Sequence, residues 1–378
     1  MIGLGHAGDD DDWMRLADDC IASIASSPSA AAAAPAEGEE AIGFVFATDL
    51  FAAEFDAIVA HLRAGTGIAD WIGTCGAGVL GGTREYLDQP ALVAMATSVP
   101  RGALRLLAPG HDEAAARDVA GWAAGHAGCT AIVHGDARDA ALPDRLGELA
   151  DLGDCHVLGG LGSSRVPMVH AAGAIGRGPL SGVVLAPGII AATGLTQGCS
   201  PLGAARRRIT KAEGSVIATL DDMPALRALQ DDLLALSEPE RERAARRLHV
   251  ALPVAGSDGA DYLVRNLTGV DHASGSISIG DLAEPGRELV FVSRDADAAA
   301  RDLARMARDA MRRCRRPPRA ALYYSCIARG ANLFGSVSPE VALLRREIGD
   351  IPLAGMFCDG EVSNARLYGY TGVLALLA

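Results

Sequence analysis

Residues 70–78 read DWIGTCGAG, and residues 352–360 read PLAGMFCDG. Both stretches carry glycines at their fourth and ninth positions, which are Gly73 and Gly78 in the first and Gly355 and Gly360 in the second. Short apolar runs interrupted by glycine are typical of buried strands that end in tight turns. The same spacing at two distant places in the chain indicates a repeated structural unit.

Strands and helices are predicted in the same order around both stretches, because the spacing of apolar residues changes between the strand pattern and the helix pattern in the same order. Around the first stretch we predict a strand at 42–47, a helix at 51–62, a strand at 68–75 and a strand at 92–96. Around the second we predict a strand at 321–326, a helix at 339–348, a strand at 353–357 with a glycine turn, and a strand at 371–377. A looser third copy has a strand at 130–133, a helix at 142–149 and a turn at Gly159 and Gly160.

Short loops join some of the neighbouring strands, whereas helices separate others. We therefore predict an α/β (α+β) fold of duplicated modules, in which helices cover mixed sheets and two related halves join near residues 235–250. The expected domains are an N-terminal helix and linker over 1–40, a first domain over 41–240 and a second over 241–378. The middle of the chain adds strands near 182–186, 189–195 and 215–220, a helix at 224–236, and a charged, solvated helix at 238–247.

Composition narrows the possible functions. The 378 residues carry a net charge of −13, which disfavours binding to nucleic acid. The basic run from Arg312 to Arg316 is interpreted as the cationic last turn of a helix. Since no stretch reaches the ~18–20 apolar residues that span a membrane, and the acidic start differs from an export signal, we expect a cytoplasmic protein without membrane insertion. Eight scattered cysteines are then expected to be reduced.

Residues Gly76–Gly81 fit the G-x-G-x-x-G pattern of dinucleotide sites and follow a predicted strand. That pattern requires a helix to begin at the glycines, so that backbone amides hold the pyrophosphate. The residues that follow are polar, end in a proline and lead into another strand. We interpret the glycines as a turn.

Two kinds of side chain at predicted strand ends suggest chemistry. Cys75, Cys326 and Cys358 are candidates for a thiol nucleophile, which needs a nearby histidine to raise its thiolate fraction. Arg265, Arg329 and Glu361 follow apolar strands or a repeated turn, where an arginine fork can bind a carboxylate ligand. Internal ion pairs between the halves explain the same three residues equally well, and the sequence leaves both alternatives open.

The nine histidines show no metal-ligand spacing. His134, His156 and His170 lie beside apolar strands, and a neutral imidazole in such a place can ligate haem iron. No metal site is predicted, and haem is kept as an alternative cofactor through one of these three residues.

The order of these motifs resembles the FIST family along nearly the whole chain. The N-terminal matches are GFVF at 43–46, IGTCGAG at 72–78, LGG at 158–160, TQGCSPLG at 196–203, ITKA at 209–212 and LDDMPAL at 220–226. The C-terminal matches are YLVRN at 262–266, FVSRD at 291–295, YSCIARG at 324–330 and PLAG at 352–355 running to Glu361.

The resemblance implies a bacterial-type sensory domain that binds a small ligand such as an amino acid, and some members are similar to haem-based nitric-oxide sensors. We therefore expect a stand-alone, cytoplasmic, non-catalytic sensor of an amino acid or another small carboxylate, which signals through a separate partner protein. The residues expected to line its ligand cleft are Thr74, Cys75, Gly159, Gly160, Arg265, Cys326, Arg329 and Glu361. A haem-based sensor and a cysteine-dependent enzyme are the alternatives.

Overall fold

A computed structural model describes residues 3–8, 10–27, 35–110, 113–203, 206–254, 261–335 and 339–378. Helices make up 29% and strands 42% of the chain, which confirms the predicted mixed α/β class. The chain forms two compact units, residues 1–196 with 302–378 (unit 1) and residues 197–301 (unit 2). Residues 235–250, where the sequence analysis places a domain boundary, lie inside unit 2. The boundary expected there stays a prediction.

The strands and helices alternate along the described residues. The strands are β1 (Gly3–Gly8), β2 (Glu39–Thr48), β3 (Asp70–Gly76), β4 (Gly78–Gly81), β5 (Arg84–Leu87), β6 (Ala91–Pro100), β7 (Leu104–Leu107), β8 (Thr130–Asp136), β9 (His156–Gly162), β10 (His170–Ala172), β11 (Ala174–Gly176), β12 (Leu180–Leu185), β13 (Ile190–Thr196), β14 (Cys199–Pro201), β15 (Arg207–Glu213), β16 (Val216–Leu220), β17 (Met223–Pro224), β18 (Leu248–Pro253), β19 (Tyr262–Asp271), β20 (Ser276–Ile279), β21 (Glu288–Arg294), β22 (Ala320–Cys326), β23 (Leu353–Ser363), β24 (Arg366–Tyr368) and β25 (Gly372–Leu377). The helices are α1 (Trp13–Ser26), α2 (Phe55–Thr66), α3 (Glu113–Ala124), α4 (Leu142–Asp151), α5 (Ala225–Leu234), α6 (Glu238–Ala245), α7 (Ala296–Arg313), α8 (Gly330–Phe334) and α9 (Pro339–Ile348).

Unit 1 is built from two mixed sheets. The first has the strand order β1-β6-β2-β3-β10-β11, and its β2–β3 pair is parallel. The second has the order β13-β25-β22-β23-β9-β8-β12-β7, with β4, β5 and β24 added at β23 and β4. Its β22–β23 and β8–β9 pairs are parallel, whereas the other pairs are antiparallel. The mixed sheets that the loop lengths predict are confirmed.

One apolar core joins the two sheets of unit 1 face to face, since it contains Phe44 and Phe46 of the first sheet together with Tyr324 and Met356 of the second. Helices cover the outer faces. The amphipathic helices α1 and α2 pack on the first sheet, and α7, α9, α3 and α4 pack on the second. Four layers in the order helix, sheet, sheet, helix follow from this arrangement.

The predicted repeat is present three times in unit 1, as the parallel strand–helix–strand units β2-α2-β3, β8-α4-β9 and β22-α9-β23. Gly73, Gly159 and Gly355 hold the same place in the three units, opposite a residue of the parallel neighbour strand. A Cβ atom at these positions would lie only 1.6, 2.0 and 1.7 Å from the facing carbonyl oxygen. Glycine is required there because any side chain would push the strands apart.

Two predicted glycine turns are wrong, the one at Gly159 and Gly160, which lie inside β9, and the one after residue 357. β23 continues through Asp359 and Gly360 to Ser363, and the register shifts between Cys358 and Gly360 where it pairs with β9. The second glycine therefore lies next to a bulge inside a long strand instead of at a turn. In the first copy the chain does leave its strand, since β3 ends at Gly76 and β4 pairs with β23 of the other sheet.

Unit 2 is an antiparallel ring of strands. β21 pairs with both β18 and β15, and the order β21-β15-β16-β20-β19-β18 returns to β21. Its interior is apolar, with Ile209, Ile217 and Phe291 buried against α5. The charged segment predicted as a solvated helix is confirmed as α6, of which Ala244 is the one buried residue among those described.

At the N-terminal end, Asp12 accepts a hydrogen bond from the Met14 backbone N–H and caps α1, the helix expected within residues 1–40. A strand, β1, precedes this helix and was not predicted. Residues 28–34 of the expected linker lie outside the described residues. Among the residues that the structure describes, none of the helices combines the length and apolar character required to cross a bilayer.

Candidate functional site

A buried ion pair lies beyond the end of β22. Arg329 and Glu340 are both fully buried, and the Arg329 Nε donates a hydrogen bond of 2.7 Å to the Glu340 Oε1. Burial alone would lower the pKa of Arg329, but the charge of Glu340 outweighs it and the pKa rises above its ordinary value. The Arg329 Nη2 lies 2.7 Å from the same oxygen, but it has no hydrogen bond of acceptable geometry within the described part of the chain. One arm of the guanidinium fork is therefore still able to donate.

The carboxylate of Glu340 is held by donors from alternate positions of β22. The Tyr323 hydroxyl donates to its Oε1 at 2.9 Å, and the Ser325 hydroxyl donates to its Oε2. Residues two apart on a strand face the same side, so β22 presents both hydroxyls to α9. Glu340 is thus fixed in place and serves as a counter-ion inside the fold.

A second carboxyl group, Glu85 on β5, caps the N-terminus of α9. It accepts hydrogen bonds from the backbone N–H groups of Glu340 at 2.7 Å and Val341 at 2.9 Å. Burial and the neighbouring charge of Glu340 nevertheless raise the pKa of Glu85 to about 7. The N-terminus of α9 favours the ionised form of Glu85, whereas the nearby charge of Glu340 disfavours it.

The third carboxyl group of the cluster, Glu361 on β23, is fully buried. Its Oε2 accepts hydrogen bonds from the Thr371 backbone N–H at 3.1 Å and the Thr371 hydroxyl at 2.6 Å. Burial raises its pKa to about 8, although the Thr371 bonds and the Arg329 charge oppose the rise. Its Oε1 has no hydrogen-bond partner among the residues that the structure describes. Because buried polar atoms are normally paired, this oxygen is a marker of an incomplete site.

Two buried histidines lie between the sheets of unit 1. The Nε2 of His134 is 3.1 Å from the Tyr324 hydroxyl, and the ring of His134 meets Phe46 edge-on with centroids 5.5 Å apart. The Nε2 of His170 is 3.1 Å from the Gly178 carbonyl oxygen. Burial lowers the pKa of His134 to about 3 and that of His170 to about 4, so both rings are neutral near pH 7. Within the described residues, neither Nδ1 atom has a hydrogen-bond partner.

The segment between β9 and β10, residues 163–169, runs across strands of both sheets. The Ser163 hydroxyl donates to the Phe357 carbonyl oxygen at 2.8 Å, and the Thr74 hydroxyl donates to the Val169 carbonyl oxygen at 2.9 Å. Arg165 fastens the segment through a 2.6 Å ion pair with Asp49. We call residues 163–169 the covering segment.

Seven of the eight predicted lining residues lie in unit 1. The structure brings Gly160 opposite Glu361 in the β9–β23 pair, next to Gly159, and the charges of Arg329 and Glu361 interact. Cys326 lies opposite Cys358 in the β22–β23 pair. Thr74 faces His170 in the β3–β10 pair. The register therefore groups most of the predicted residues around β9, β22 and β23.

Two predicted lining residues lie apart from this group. Cys75 belongs to the core under α1 and α2, on the outer face of the first sheet, because its neighbour Thr74 takes the inner face. Arg265 is in unit 2, where its Nε is 2.9 Å from the Asp281 Oδ2. For Arg265 the structure shows an ion pair within unit 2, and not the pair between the halves that the sequence left as an alternative.

Sequence reasoning missed Glu340, Glu85 and the hydroxyls that surround them. A signal for Glu340 was present, since Glu340, Leu344 and Ile348 follow one another at intervals of four in α9. This spacing places an acid on the apolar stripe of a helix, and such an acid must be paired inside the fold. His6, which the sequence does not single out, is half-buried against Tyr86, with 2.7 Å between its Nδ1 and the Tyr86 hydroxyl.

The cysteines considered as nucleophiles are not activated. Burial raises the pKa of Cys326 to about 12 and also raises the pKa values of Cys75 and Cys358. A nucleophilic thiol needs a lowered pKa. In the described ranges, no three His, Cys, Asp or Glu side chains are arranged to hold a metal ion.

Comparison with protein families matches residues 41–223 to the FIST N domain and residues 225–364 to the FIST C domain. The chain belongs to the FIST family. Similar curated proteins include an uncharacterized protein of Mycobacterium tuberculosis, 34% identical over 202 residues, and one of Mycobacterium bovis, 33% identical over 199 residues. Each alignment covers 50% of this chain and 51% of the relative, so the chain spans about half the length of the curated relatives that it matches.

FIST domains are associated with sensory binding of small ligands. In this FIST protein both matched regions contribute to the buried cluster. Glu85 comes from the FIST N region, and Arg329, Glu340 and Glu361 come from the FIST C region. The site is therefore complete only when both regions fold together in unit 1.

Proposed function

We propose that this FIST protein is a sensor that binds a small ligand carrying both an amino group and a carboxylate, such as an amino acid, in the buried cluster of unit 1. The observation that carries the proposal is that two buried polar atoms of this cluster, Glu361 Oε1 and Arg329 Nη2, have no hydrogen-bond partner in the described residues. Unpaired buried polar atoms are rare in folded proteins and mark sites that a ligand or an ordered water completes.

The charges of the cluster favour an amino group on the ligand. Three carboxyl groups, Glu85, Glu340 and Glu361, surround the single guanidinium of Arg329, whose charge Glu340 already balances. A ligand ammonium against the free Oε1 of Glu361 would favour the ionised carboxylate, and the two charges would balance each other. A simple anion would bring more negative charge into a group of acids, which is unfavourable.

The Arg329 fork supplies the complementary contact. Its Nη2 still has a hydrogen bond to give, and an arginine hydrogen bond to a carboxylate is among the stronger ones in proteins. A zwitterionic ligand would place its ammonium at Glu361 and its carboxylate at Arg329. This supports an amino acid above other small carboxylates.

Ligand entry would be coupled to motion, which suits a sensor. Arg329 and Glu361 have no exposed surface, so a ligand reaches them only when a neighbouring segment moves. The covering segment is a candidate for this movement, because the Arg165 side chain that fastens it to Asp49 is 54% exposed. A conformation that a ligand favours is the physical basis of a signal, and a separate partner protein would read it.

A thermal-shift screen of the twenty amino acids and of related acids without an amino group tests the proposal. A ligand present at 100 times its dissociation constant should raise the stability of the folded protein by ~2.7 kcal/mol. We expect an amino acid to stabilise the protein, and the matching acid without the amino group to have a much smaller effect. A flat response to every compound would contradict the proposal.

Haem binding is the second candidate, favoured by the unpaired Nδ1 atoms of the neutral His134 and His170 in an apolar environment. The fit is tight, since the rings of Phe46 and Tyr324 lie 5.5 and 5.7 Å from that of His134 and would have to move. His156 is a weaker candidate because its Nε2 lies 3.3 Å from the Thr193 hydroxyl.

Titration with hemin tests this candidate. Specific ligation should give a sharp Soret band that His134→Ala or His170→Ala abolishes and that His156→Ala leaves intact. A broad band of free hemin with the wild-type protein would end the haem proposal and leave the amino-acid proposal unaffected.

A further inference from the structure

Four arginines that follow one another closely in the chain line a cavity of about 830 Å³ in unit 1. They are Arg313, Arg315, Arg316 and Arg319, from the end of α7 and the segment that leads to β22. Prolines and isoleucines form much of the remaining wall, including Pro317 and Ile190. We call this cavity the arginine groove. Its lining residues are different from those of the buried cluster.

The arginines of the groove differ from those earlier in α7. Arg305, Arg308 and Arg312 pair with Asp302, Glu347 and Asp309. Beyond Asp309 the sequence contains no acid until Glu340. Three arginines of α7 that precede the groove thus have acidic partners, whereas residues 310–339 contain no acid.

Contacts within the groove compensate only part of its positive charge. Arg313 donates to the Thr193 carbonyl oxygen, and Arg319 donates to the Ser98 carbonyl oxygen at 3.3 Å and to the Ala378 carbonyl oxygen at 3.2 Å. Arg315 and Arg316 are exposed and form no ion pair with any carboxylate in the described part of the chain. Glu39 also lines the groove; the hydrogen bond from the Ser98 hydroxyl and the charge of Arg319 lower its pKa, so its carboxylate offsets one of the four positive charges.

We propose that the arginine groove binds a compact phosphate-rich anion, with a diphosphate or triphosphate group as the recognised chemistry. A concentration of guanidinium groups in a concave site is unusual on a protein with a net charge of −13. Guanidinium forks match the oxygens of phosphate groups and bind them with charge-assisted hydrogen bonds. A cavity of this volume suits a small molecule.

The walls also limit the ligand. Among the described residues that line the groove there is no aromatic side chain on which a nucleobase could stack, since the apolar ones are proline, isoleucine and alanine. Recognition therefore rests on the phosphate chain, either free or attached to a larger molecule. The proposal does not depend on ligand binding in the buried cluster.

Isothermal titration with inorganic pyrophosphate and tripolyphosphate tests the groove at low salt, and ATP serves as the arm in which the phosphate chain is attached to a nucleoside. We expect saturable binding with one molecule per chain, which weakens as salt is added. The Arg315→Gln/Arg316→Gln variant should bind about 100-fold more weakly, because two charge-assisted contacts are lost. Equal affinity for ATP and tripolyphosphate is expected, since the base has no partner.

The matched control is Arg308→Gln/Arg312→Gln, which removes the same charge from exposed, locally paired positions of the same helix. This variant should bind pyrophosphate within about threefold of the wild type, and both variants should melt at the wild-type temperature. Absence of binding at millimolar pyrophosphate, or equal weakening in the two variants, would overturn the proposal. Stabilisation of the protein by amino acids should be unchanged in both variants.

Discussion

Replacing Arg329 with methionine removes the only guanidinium that contacts the Glu340 carboxylate among the described residues, while it keeps an apolar side chain of similar length. Both partners have no exposed surface, so the remaining carboxylate cannot gain hydration. Breaking a fully buried pair by removing one partner typically costs ~3–5 kcal/mol. The hydroxyls of Tyr323 and Ser325 stay as donors to Glu340, which places the expected loss near ~3 kcal/mol.

The reverse substitution, Glu340→Gln, should cost less. The charge of Glu361 acts on Arg329, and Glu361 can ionise to replace the lost counter-ion. In the double variant Arg329→Met/Glu340→Gln neither charge is left alone. Its destabilisation should therefore be smaller than the sum of the two single effects by ~1–3 kcal/mol.

Urea denaturation followed by tryptophan fluorescence measures these effects, because Trp13, Trp71 and Trp122 all lie in unit 1. Arg308→Met is the matched control, since it breaks an exposed pair with Glu347 and should change stability by less than ~1 kcal/mol. A loss below ~1 kcal/mol for Arg329→Met, or strictly additive single effects, would refute the role given to the pair.

Three further predictions concern the repeat, the pH dependence and the thiols. Gly355→Ala would place a Cβ atom 1.7 Å from the Tyr323 carbonyl oxygen and should destabilise unit 1 by at least ~2 kcal/mol in thermal melts. Gly147→Ala in α4, where a Cβ atom would have no atom within 4 Å, should stabilise it by ~0.5–1 kcal/mol. Equal effects of the two substitutions would contradict the close packing at Gly355. Because the folded pKa of Glu361 is raised to about 8, the native state holds an extra proton above the unfolded pKa, and stability should fall as pH rises towards 8 by up to ~1.4 kcal/mol per unit. Glu361→Gln should flatten this slope in denaturation series at several pH values, and an unchanged slope would argue against the raised pKa. Alkylation of the folded protein at pH 7, followed by mass spectrometry, should label the partly exposed cysteines before the buried ones. The buried cysteines are Cys20, Cys75, Cys129, Cys155, Cys326 and Cys358. Rapid labelling of Cys75, Cys326 or Cys358 would instead support the enzymatic alternative.

The repeated units were predictable because their causes are local. An apolar run, an amphipathic helix and a glycine at a fixed position are each visible in the sequence, as around Gly73 and Gly355. The antiparallel ring of unit 2 was not, because it depends on the pairing of β21 with both β18 and β15, and strand pairing between distant segments leaves little local trace. The bulge after Cys358 was missed for a similar reason, since a glycine beside an acid is also typical of turns.

The candidate site was predictable only in part. Arg329 and Glu361 were identified because a charged residue that follows an apolar strand needs a partner inside the fold. Glu85 could not be identified, because its role depends on the packing of β5 against the N-terminus of α9, which belongs to a segment more than 250 residues away. Arg265 has the same local signal as Arg329 but pairs with Asp281 in unit 2, so the signal alone does not say where in the fold the partner lies.

Proton release on ligand binding tests the central claim most directly. At pH 7 the Glu361 carboxyl group, with its pKa raised to about 8, is mostly protonated. An ammonium placed against it would ionise it. Isothermal titration with the amino acid that stabilises the protein most, in buffers of different ionisation enthalpy, should therefore show release of close to one proton per ligand from the wild type and almost none from Glu361→Gln. Glu347→Gln on α9 is the control and should behave as the wild type. Binding without proton release, or equal release from the wild type and Glu361→Gln, would contradict the account.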